Sequence, residues 1–257
     1  KLSETFPKRA VEVGGPLLQV HKLTEKEGAV RDIEMVVHAG EIVGISGLVG
    51  AGKTELCKTL FGALPIGSGE IELNKKKLKI NTPYAAVSQG LALVPEERRK
   101  EGVLIEEPVY SNLSAANLSR FSTPFGFIKS IAERVNAKKM IKDLGIKTPS
   151  ENRKVAYLSG GNQQKVAFGK WLIADAEVFI FDEPTKGVDV GAKHDIFELI
   201  GNLAAAGKGV IYASCEFAEI LGITDRTYVM YDGMIAKELE TKSTTEEQLL
   251  FYSTGGK

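Results

Sequence analysis

The chain has 257 residues, 43% of them hydrophobic and 7% aromatic, and its 33 basic and 33 acidic side chains give a formal net charge of zero. This composition excludes a disordered or fibrous protein, and the balanced charge argues against a nucleic-acid partner, because such binding needs many basic groups facing phosphates. The two cysteines, Cys57 and Cys215, lack a neighbouring CxxC or a histidine at ligand spacing, which excludes a disulfide framework and a zinc site and favours a reducing compartment.

The start of the chain predicts a linker. Residues 1–13 mix charged side chains with Phe6 and Pro7, and they hold neither an initiator Met nor the apolar core of a secretory signal. We therefore expect a linker over residues 1–13 and a folded domain over residues 14–257. Apolar runs such as 178–181 are far shorter than the ~20 residues of a membrane-spanning helix, so we expect none.

Two kinds of strand alternate with helical patterns, which predicts an α/β fold. Residues 17–20, 33–37 and 69–73 have the alternating or β-rich composition of half-exposed antiparallel strands. A second group of segments is apolar throughout, as in parallel strands covered on both faces, and comprises 42–45, 91–94, 178–181, 210–213 and 228–230. The sequence thus predicts a mostly parallel central sheet with an antiparallel β subdomain.

A helical insertion separates the second and third apolar runs. Its apolar residues roughly follow one helix face before Gly145 and Pro149 end the pattern, and they are Ile128, Ile131, Val135, Ile141 and Leu144. We expect an α-helical subdomain over about residues 104–165. The tail predicts a β segment over 234–240 and a helix over about 244–252.

A glycine-rich loop follows the strand at 41–46 and opens a helix. This order is typical of a P-loop, in which backbone N–H groups and a helix N-terminus surround phosphates. We expect Lys53 to reach the β and γ phosphates of ATP, and the Thr54 hydroxyl to ligate Mg²⁺. The predicted nucleotide-binding residues are Gly47, Leu48, Val49, Gly50, Ala51, Gly52, Lys53, Thr54 and Glu55.

A pair of carboxylates supplies the second half of such a site. Asp182 and Glu183 end the buried strand at 178–181. A P-loop ATPase needs a strand-end carboxylate on its metal and a group that orients or deprotonates the attacking water. We therefore expect Asp182 to ligate Mg²⁺ and Glu183 to act as the general base. Without the P-loop, Asp182 and Glu183 could equally well be interpreted as an acidic helix cap that follows a strand.

The segment 158–166, Leu-Ser-Gly-Gly-Asn-Gln-Gln-Lys-Val, resembles the signature motif of the ATP-binding cassette (ABC) ATPases. The resemblance extends from about residue 16 to residue 256, and it implies the fold of that family. It also implies that ATP is sandwiched between this cassette and a second one, with Ser159, Gly160, Gly161 and Gln163 facing the nucleotide of the partner. Residues 187–189, ending in Asp189, stand where the family has its D-loop.

A narrower resemblance points to sugar import. Residues 94–102, the Asn-Gln-Gln of the signature and residues 185–193 resemble the C-terminal cassette of monosaccharide importers that carry two cassettes in one chain. The resemblance implies that residues 1–13 join the two halves and that the partner cassette is the N-terminal half. It further implies that the cassette binds membrane permease subunits and acts indirectly with a periplasmic or extracellular solute-binding protein. It also implies a peripheral location at the cytoplasmic face of the membrane.

Three positions depart from the family pattern. Glu96 stands nearest to the glutamine that usually faces metal and water, where an added carboxylate could bind metal or repel the γ-phosphate. Cys215 replaces the switch histidine, and a thiol is a poor donor to that phosphate. The stretch 24–29 holds no aromatic residue to stack on adenine. With Asp189, Glu96 and Cys215 form the predicted switch positions.

These features leave alternatives open. The leading hypothesis is an ATP hydrolase that drives import of a monosaccharide or a related small solute. A regulatory half that binds ATP but cleaves it slowly, and a nucleoside importer, are the alternatives, whereas an ABC ATPase of DNA repair or translation is disfavoured by the balanced charge. The solute could be ribose, galactose, xylose, a nucleoside or a related signalling sugar.

Overall fold

The computed structural model describes residue 6 and residues 12–256, so most of the expected linker over residues 1–13 lies outside the described residues. The strands are β1 (Pro16–Glu25), β2 (Ile33–His38), β3 (Ile42–Ser46), β4 (Ile66–Leu73), β5 (Lys76–Lys77), β6 (Leu91–Val94), β7 (Val178–Asp182), β8 (Gly209–Ser214), β9 (Arg226–Tyr231) and β10 (Met234–Glu240). The α-helices are α1 (Lys53–Leu60), α2 (Pro83–Ser88), α3 (Val109–Ser114), α4 (Ser130–Asp143), α5 (Gly160–Leu172), α6 (Val190–Ala205), α7 (Phe217–Ile223) and α8 (Glu246–Ser253).

The chain divides into two compact units. The first comprises Lys1–Leu93, Glu177–Glu183 and Phe197–Lys257, and the second comprises Val94–Ala176 and Pro184–Ile196. No helix within the described residues combines the length and the apolar composition that crossing a membrane requires.

An antiparallel sheet in the first unit has the strand order β2-β1-β4-β5. Val20 of β1 faces Met35 of β2 on one side and Ile71 of β4 on the other. In β2, alternate residues are buried, because one face of the sheet packs on the core and the other meets solvent. The antiparallel subdomain expected from the sequence is confirmed.

A six-stranded sheet has the order β10-β9-β3-β8-β7-β6. Strand β3 pairs in parallel with β8 and β9, β7 pairs in parallel with β8, and β10 runs antiparallel to β9. All residues of β3, β7 and β8 are buried, which is why these segments are apolar throughout. The mostly parallel sheet predicted from those apolar runs is confirmed.

The register of this sheet places three strand ends side by side. Ser46 pairs with Ser214 at the ends of β3 and β8, and Asp182 pairs with Ala213 at the end of β7. Ligands of open α/β sheets bind at the carboxyl ends of the parallel strands. The loops after Ser46, Asp182 and Ser214 therefore emerge at the edge where a ligand is expected.

Helices dominate the second unit, where α3 packs against α4 and α5. The apolar residues predicted along one face are not buried together: Ile128 precedes α4, and Ile131 and Val135 are exposed. The buried face carries Glu133 and Ala137 instead. The bounds of about 104–165 for a helical subdomain stay a prediction.

The end of the chain follows the sequence pattern. Strand β10 has the predicted bounds, and α8 begins two residues later and ends one residue later than expected. Thr245 caps α8 by accepting a hydrogen bond from the Gln248 N–H, and the Gln248 side chain accepts one from the Thr245 N–H. This reciprocal pair fixes where the helix starts.

Candidate functional site

The P-loop joins β3 to α1 with a backbone that only glycine adopts readily at several positions. Gly47 and Gly52 have φ values of 156° and 99°. A Cβ atom at Gly47 would lie 2.8 Å from the Met230 carbonyl oxygen, and one at Gly52 would lie 3.1 Å from the Gly233 Cα. Both glycines are therefore required for the close approach of the loop to the end of β9 and to the turn between β9 and β10.

The middle of the loop, residues 48–50, is exposed to solvent. Leu48 and Val49 are exposed, Gly50 has a φ of 84°, and space is open beyond it. Helix α1 starts at Lys53 without a side chain capping its first N–H groups. Unshielded N–H groups at a helix N-terminus bind anions, so this cradle fits the phosphates of a nucleotide.

The Lys53 ammonium group is held inside this loop. Its Nζ donates hydrogen bonds to the carbonyl oxygens of Gly47 at 2.9 Å and Leu48 at 3.1 Å. The Glu183 Oε1 atom lies 3.8 Å from the same Nζ, and both side chains are largely buried. Lys53 is thus ordered beside the phosphate cradle, with a carboxylate next to it.

Thr54 and Asp182 bring two oxygen atoms together below the loop. The Thr54 hydroxyl donates to Asp182 Oδ1 at 3.2 Å, and Asp182 is buried at the end of β7. A hydroxyl and a carboxylate are ligands that suit Mg²⁺, which binds few protein groups and completes its shell with phosphate oxygens and water. Across the described residues no three His, Cys, Asp or Glu side chains cluster as a metal site. The residues present therefore fit Mg²⁺ bound together with a nucleotide.

Glu183 adopts a strained turn immediately after β7. Its φ is 46°, in the left-handed region that disfavours side chains with a Cβ. Its N–H donates to the Ala213 carbonyl at 2.9 Å, which ties the turn to β8. The strain aims the carboxylate at the P-loop lysine, as a base next to the γ-phosphate would require.

Cys215 lies against the Glu183 carboxylate. Its backbone N–H donates to Glu183 Oε1 at 2.8 Å, and its Sγ lies 3.7 Å from Oε2. Burial raises the pKa of the Cys215 thiol, and the negative charge of Glu183 raises it further. The thiol is therefore neutral near pH 7 and acts as a weak donor to the carboxylate.

A buried network behind Cys215 was not anticipated from the sequence. Ser214 donates to Glu183 Oε2 at 3.4 Å and to Glu219 Oε2 at 3.3 Å, and the Tyr212 hydroxyl donates to Glu219 at 2.6 Å. The sequence does carry one signal: Tyr212 and Ser214 are polar groups within an otherwise apolar buried strand. Such groups need partners.

The signature segment lies in the second unit, where Ser159 is the N-cap of α5. Its Oγ accepts a hydrogen bond from the Asn162 amide at 2.8 Å, and Gly160 and Gly161 form the first turn. Gln163 is buried and donates to the carbonyl oxygens of Val155 and Leu158. Gln163 therefore supports the turn before the helix, and a direct contact with nucleotide stays a prediction.

Two of the predicted switch positions also lie in the second unit. Glu96 forms an ion pair with Lys186, so its carboxylate is compensated by a cation and is not an isolated negative charge. Arg98 donates to the carbonyl oxygens of Lys186 and Gly187, which fixes the loop before α6. Asp189 Oδ1 accepts the Ala192 N–H at 3.0 Å and thereby caps that helix.

Comparison with known proteins gives a consistent result. The family model described as ABC transporter matches residues 30–186. The chain is 41% identical to the ribose import ATP-binding protein RbsA of Geobacillus kaustophilus (strain HTA426) over 100% of this chain and 51% of that protein. It is 42% identical to a putative ribose/galactose/methyl galactoside import ATP-binding protein of Rhizobium etli (strain ATCC 51251 / DSM 11541 / JCM 21823 / NBRC 15573 / CFN 42), over 99% of this chain and 48% of that one. The chain thus spans about half the length of these curated relatives.

Solved structures share the fold. A nucleotide-free ATP-binding cassette from an ABC transporter superposes with a TM-score of 0.74 at 23% identity, covering 92% of this chain and 94% of the other. A dimeric cassette in a post-hydrolysis state with ADP and Pi gives 0.75 at 20% identity, covering 89% and 100%.

Proposed function

Because the chain belongs to the ABC transporter family, we propose that it is an ATP-binding cassette that binds and hydrolyses ATP with Mg²⁺ to energise import of a monosaccharide or related small solute. The observation that carries this proposal is the pairing of Thr54 with Asp182 and of Lys53 with Glu183 at one sheet edge. A phosphate cradle, a metal-binding oxygen pair, a cation and a candidate base are the parts that phosphoryl transfer to water requires.

Each side chain has a distinct task in this proposal. The P-loop N–H groups and Lys53 bind the phosphates and neutralise charge that develops on them. Thr54 and Asp182 hold Mg²⁺, which supplies electrostatic stabilisation of the β and γ phosphate oxygens when bound. Glu183 orients a water molecule and accepts its proton, because its carboxylate lies next to the lysine that contacts the γ-phosphate.

The second half of the catalytic site comes from another cassette. The exposed Ser159 and the half-buried Gly160 lie at a helix N-terminus that suits the γ-phosphate held by the partner, and Gly161 follows them in the first turn. The relatives are about twice as long as this chain, which supports a partner cassette within the same polypeptide. Permease subunits, a solute-binding protein and a peripheral place at the cytoplasmic membrane face complete the proposed transporter. The names of the relatives favour ribose or galactose over a nucleoside.

A slow, mainly regulatory site is the second candidate. The observation that favours it is the neutral Cys215 thiol on Glu183, where the family pattern has an imidazole for the γ-phosphate. Removing one preorganised donor to developing charge typically costs ~10²–10³ in rate.

Phosphate release tests the proposal. The chain alone should turn over slowly, its specific rate should rise with protein concentration, and addition of the other cassette should raise it further. Glu183→Gln should abolish the concentration-dependent rate of the chain alone, whereas Glu177→Gln, a half-exposed carboxylate paired with Lys208, should leave it unchanged. Brisk turnover that is independent of concentration would contradict the shared site, and full activity of Glu183→Gln would contradict the base.

A further inference from the structure

One buried hydroxyl lies between two carboxylates at the end of β8. Ser214 Oγ is 3.4 Å from Glu183 Oε2 and 3.3 Å from Glu219 Oε2. The Glu216 N–H donates to the same Oγ at 3.1 Å and takes one of its lone pairs. A serine hydroxyl has a single proton, so Ser214 can donate to only one of the two carboxylates at a time. The direction of this proton therefore changes the hydrogen bonding of Glu183.

A tyrosine on the same strand competes with Ser214 for Glu219. The Tyr212 hydroxyl donates to Glu219 Oε2 at 2.6 Å, a distance typical of a strong hydrogen bond to a carboxylate. Phe197 packs against the Tyr212 ring with the ring centroids 6.5 Å apart, and both side chains are buried, so the phenol is held in place. An oxygen that already accepts a strong hydrogen bond attracts a second donor less. The Tyr212 contact therefore favours donation of the Ser214 proton to Glu183.

The two oxygen atoms of Glu183 have different neighbours. Oε1 accepts the Cys215 N–H at 2.8 Å and lies 3.8 Å from Lys53 Nζ. Oε2 faces Ser214 Oγ and, at 3.7 Å, Cys215 Sγ. A thiol is a weaker donor than a hydroxyl, so the hydrogen bonding of Oε2 depends more on Ser214 than on this thiol.

We propose that Tyr212 and Glu219 are positioning residues for ATP hydrolysis, because together they direct the Ser214 proton and so set whether Glu183 Oε2 accepts a hydrogen bond from it. This inference rests on the proposed function, in which Glu183 accepts a proton from the attacking water. An oxygen that accepts the Ser214 proton is less available to that water. Donation to Glu183 thus slows hydrolysis, and donation to Glu219 speeds it.

Phosphate release by the full chain, in the range where its rate rises with protein concentration, tests the assignment. Tyr212→Phe removes the competing donor, so Ser214 turns to Glu219 and kcat should rise about two- to tenfold, the factor that one hydrogen bond contributes. Glu219→Gln keeps an oxygen for the Tyr212 hydroxyl and adds an amide N–H that donates to Ser214 Oγ. The Ser214 proton then turns to Glu183, and kcat should fall by a similar factor. KM for ATP should stay unchanged in both variants, because the P-loop contacts are intact.

A double-mutant cycle shows whether the two residues act through the serine hydroxyl. Ser214→Ala removes the donor from Glu183, so kcat should rise as it does in Tyr212→Phe. In the Ser214→Ala background, neither Tyr212→Phe nor Glu219→Gln should change kcat further.

Matched variants in the same unit serve as controls. Tyr228→Phe removes another buried tyrosine hydroxyl, which accepts the Val36 N–H at 3.2 Å. Ser253→Ala removes a buried serine hydroxyl, and Glu41→Gln neutralises a buried carboxylate that is paired with Arg226. All three should leave kcat at the wild-type value, whatever they do to thermal stability.

Urea unfolding without nucleotide gives a second measurement that does not need turnover. Tyr212 and Ser214 share Glu219 Oε2 as an acceptor. Ser214→Ala should therefore lower the urea midpoint more in the Tyr212→Phe background than in the wild type, because Glu219 then loses both donors. Additive losses would overturn the shared acceptor and with it the proposal.

The signs of the rate changes decide the rest. A fall of kcat in both Tyr212→Phe and Glu219→Gln, or the same change in Tyr212→Phe as in Tyr228→Phe, would overturn the proposal. Glu183→Gln separates this result from the proposed function. If Glu183→Gln is inactive while the Tyr212 and Glu219 variants keep the wild-type kcat, the positioning role fails and the base assignment stands; full activity of Glu183→Gln would overturn both.

Discussion

Replacing Lys53 with Met removes the P-loop ammonium group while keeping most of its stem. In the structure Nζ is already held by the carbonyl oxygens of Gly47 and Leu48, at 2.9 Å and 3.1 Å. Little side-chain entropy is therefore lost when a nucleotide binds. Two charge-assisted hydrogen bonds to phosphate contribute about 3–6 kcal/mol, and giving up one carbonyl bond costs about 1 kcal/mol.

The expected loss for ATP is therefore about 2–5 kcal/mol, or roughly 30- to 4000-fold in Kd. Lys53 is expected to contact the β and γ phosphates, so ADP should lose about half of that free energy and AMP almost none. Calorimetric titration of each nucleotide with Mg²⁺ gives these three values. Lys58→Met, on the same helix, serves as a control with the same change of charge. An unchanged ATP affinity, or an equal loss for AMP, would refute the assignment of Lys53 to the phosphates.

The variant also affects the folded protein, because Glu183 loses a cation 3.8 Å from its carboxylate. A buried charge that loses a partner costs about 1–3 kcal/mol of unfolding free energy. Combining Lys53→Met with Glu183→Gln removes the uncompensated charge, so thermal stability should return while ATP affinity stays low. Recovery of both would mean that the affinity loss came from misfolding and not from the missing phosphate contact.

Three further outcomes are expected. Asp182→Asn should weaken binding of Mg-ATP more than binding of ATP in excess chelator, measured by calorimetry; equal losses would give Asp182 a structural role only. Cys215→His should speed hydrolysis in the two-cassette protein by up to ~10²-fold, and an unchanged phosphate-release rate would contradict that. Burial lowers the pKa of Lys170 in the folded protein to about 8, whereas the ordinary pKa of a lysine, 10.5, applies to the unfolded chain. Between these two pH values the unfolded chain holds more protons on Lys170 than the folded protein does. The free energy of unfolding therefore rises with pH over this range. Relative to Lys170→Met, the wild type should thus gain at most about 3 kcal/mol between pH 7.5 and 10.5 in urea unfolding; parallel pH curves would refute it.

Much of the candidate site could be predicted because buried parallel strands can be recognised in the sequence as continuous apolar runs. The runs at 42–45, 178–181 and 210–213 identify strands covered on both faces, and a parallel sheet brings their carboxyl ends to one edge. The residues that follow those runs must then be neighbours. This strand pattern is enough to predict that Thr54 lies close to Asp182, whereas their roles in binding stay predictions.

Sequence patterns could not predict which side chains form hydrogen bonds or ion pairs with each other. Periodicity marks Ile131 and Val135 as one helix face, but it cannot say whether that face meets a core or solvent. The buried face of α4 is decided by Ser114 and Glu133, two polar residues whose pairing depends on how α3 and α4 cross. Similarly, Lys186 is remote in sequence from Glu96, so spacing alone could not reveal the ion pair that compensates its charge.

The contacts of Cys215 give two separate reasons to expect slow hydrolysis at this site. A neutral thiol directed at Glu183 leaves the γ-phosphate without the donor that an imidazole would supply. The Cys215 N–H and the Ser214 hydroxyl also donate to Glu183, and donors that stabilise a carboxylate make it a weaker proton acceptor. Cys215→His is the variant whose rate separates the two effects, and Cys215→Ser, which keeps a donor on Glu183 without adding an imidazole, is its control. If the missing donor to the γ-phosphate limits the rate, the serine variant stays slow while the histidine variant accelerates; if the restrained base limits it, neither substitution helps, because the backbone N–H at position 215 is retained in both.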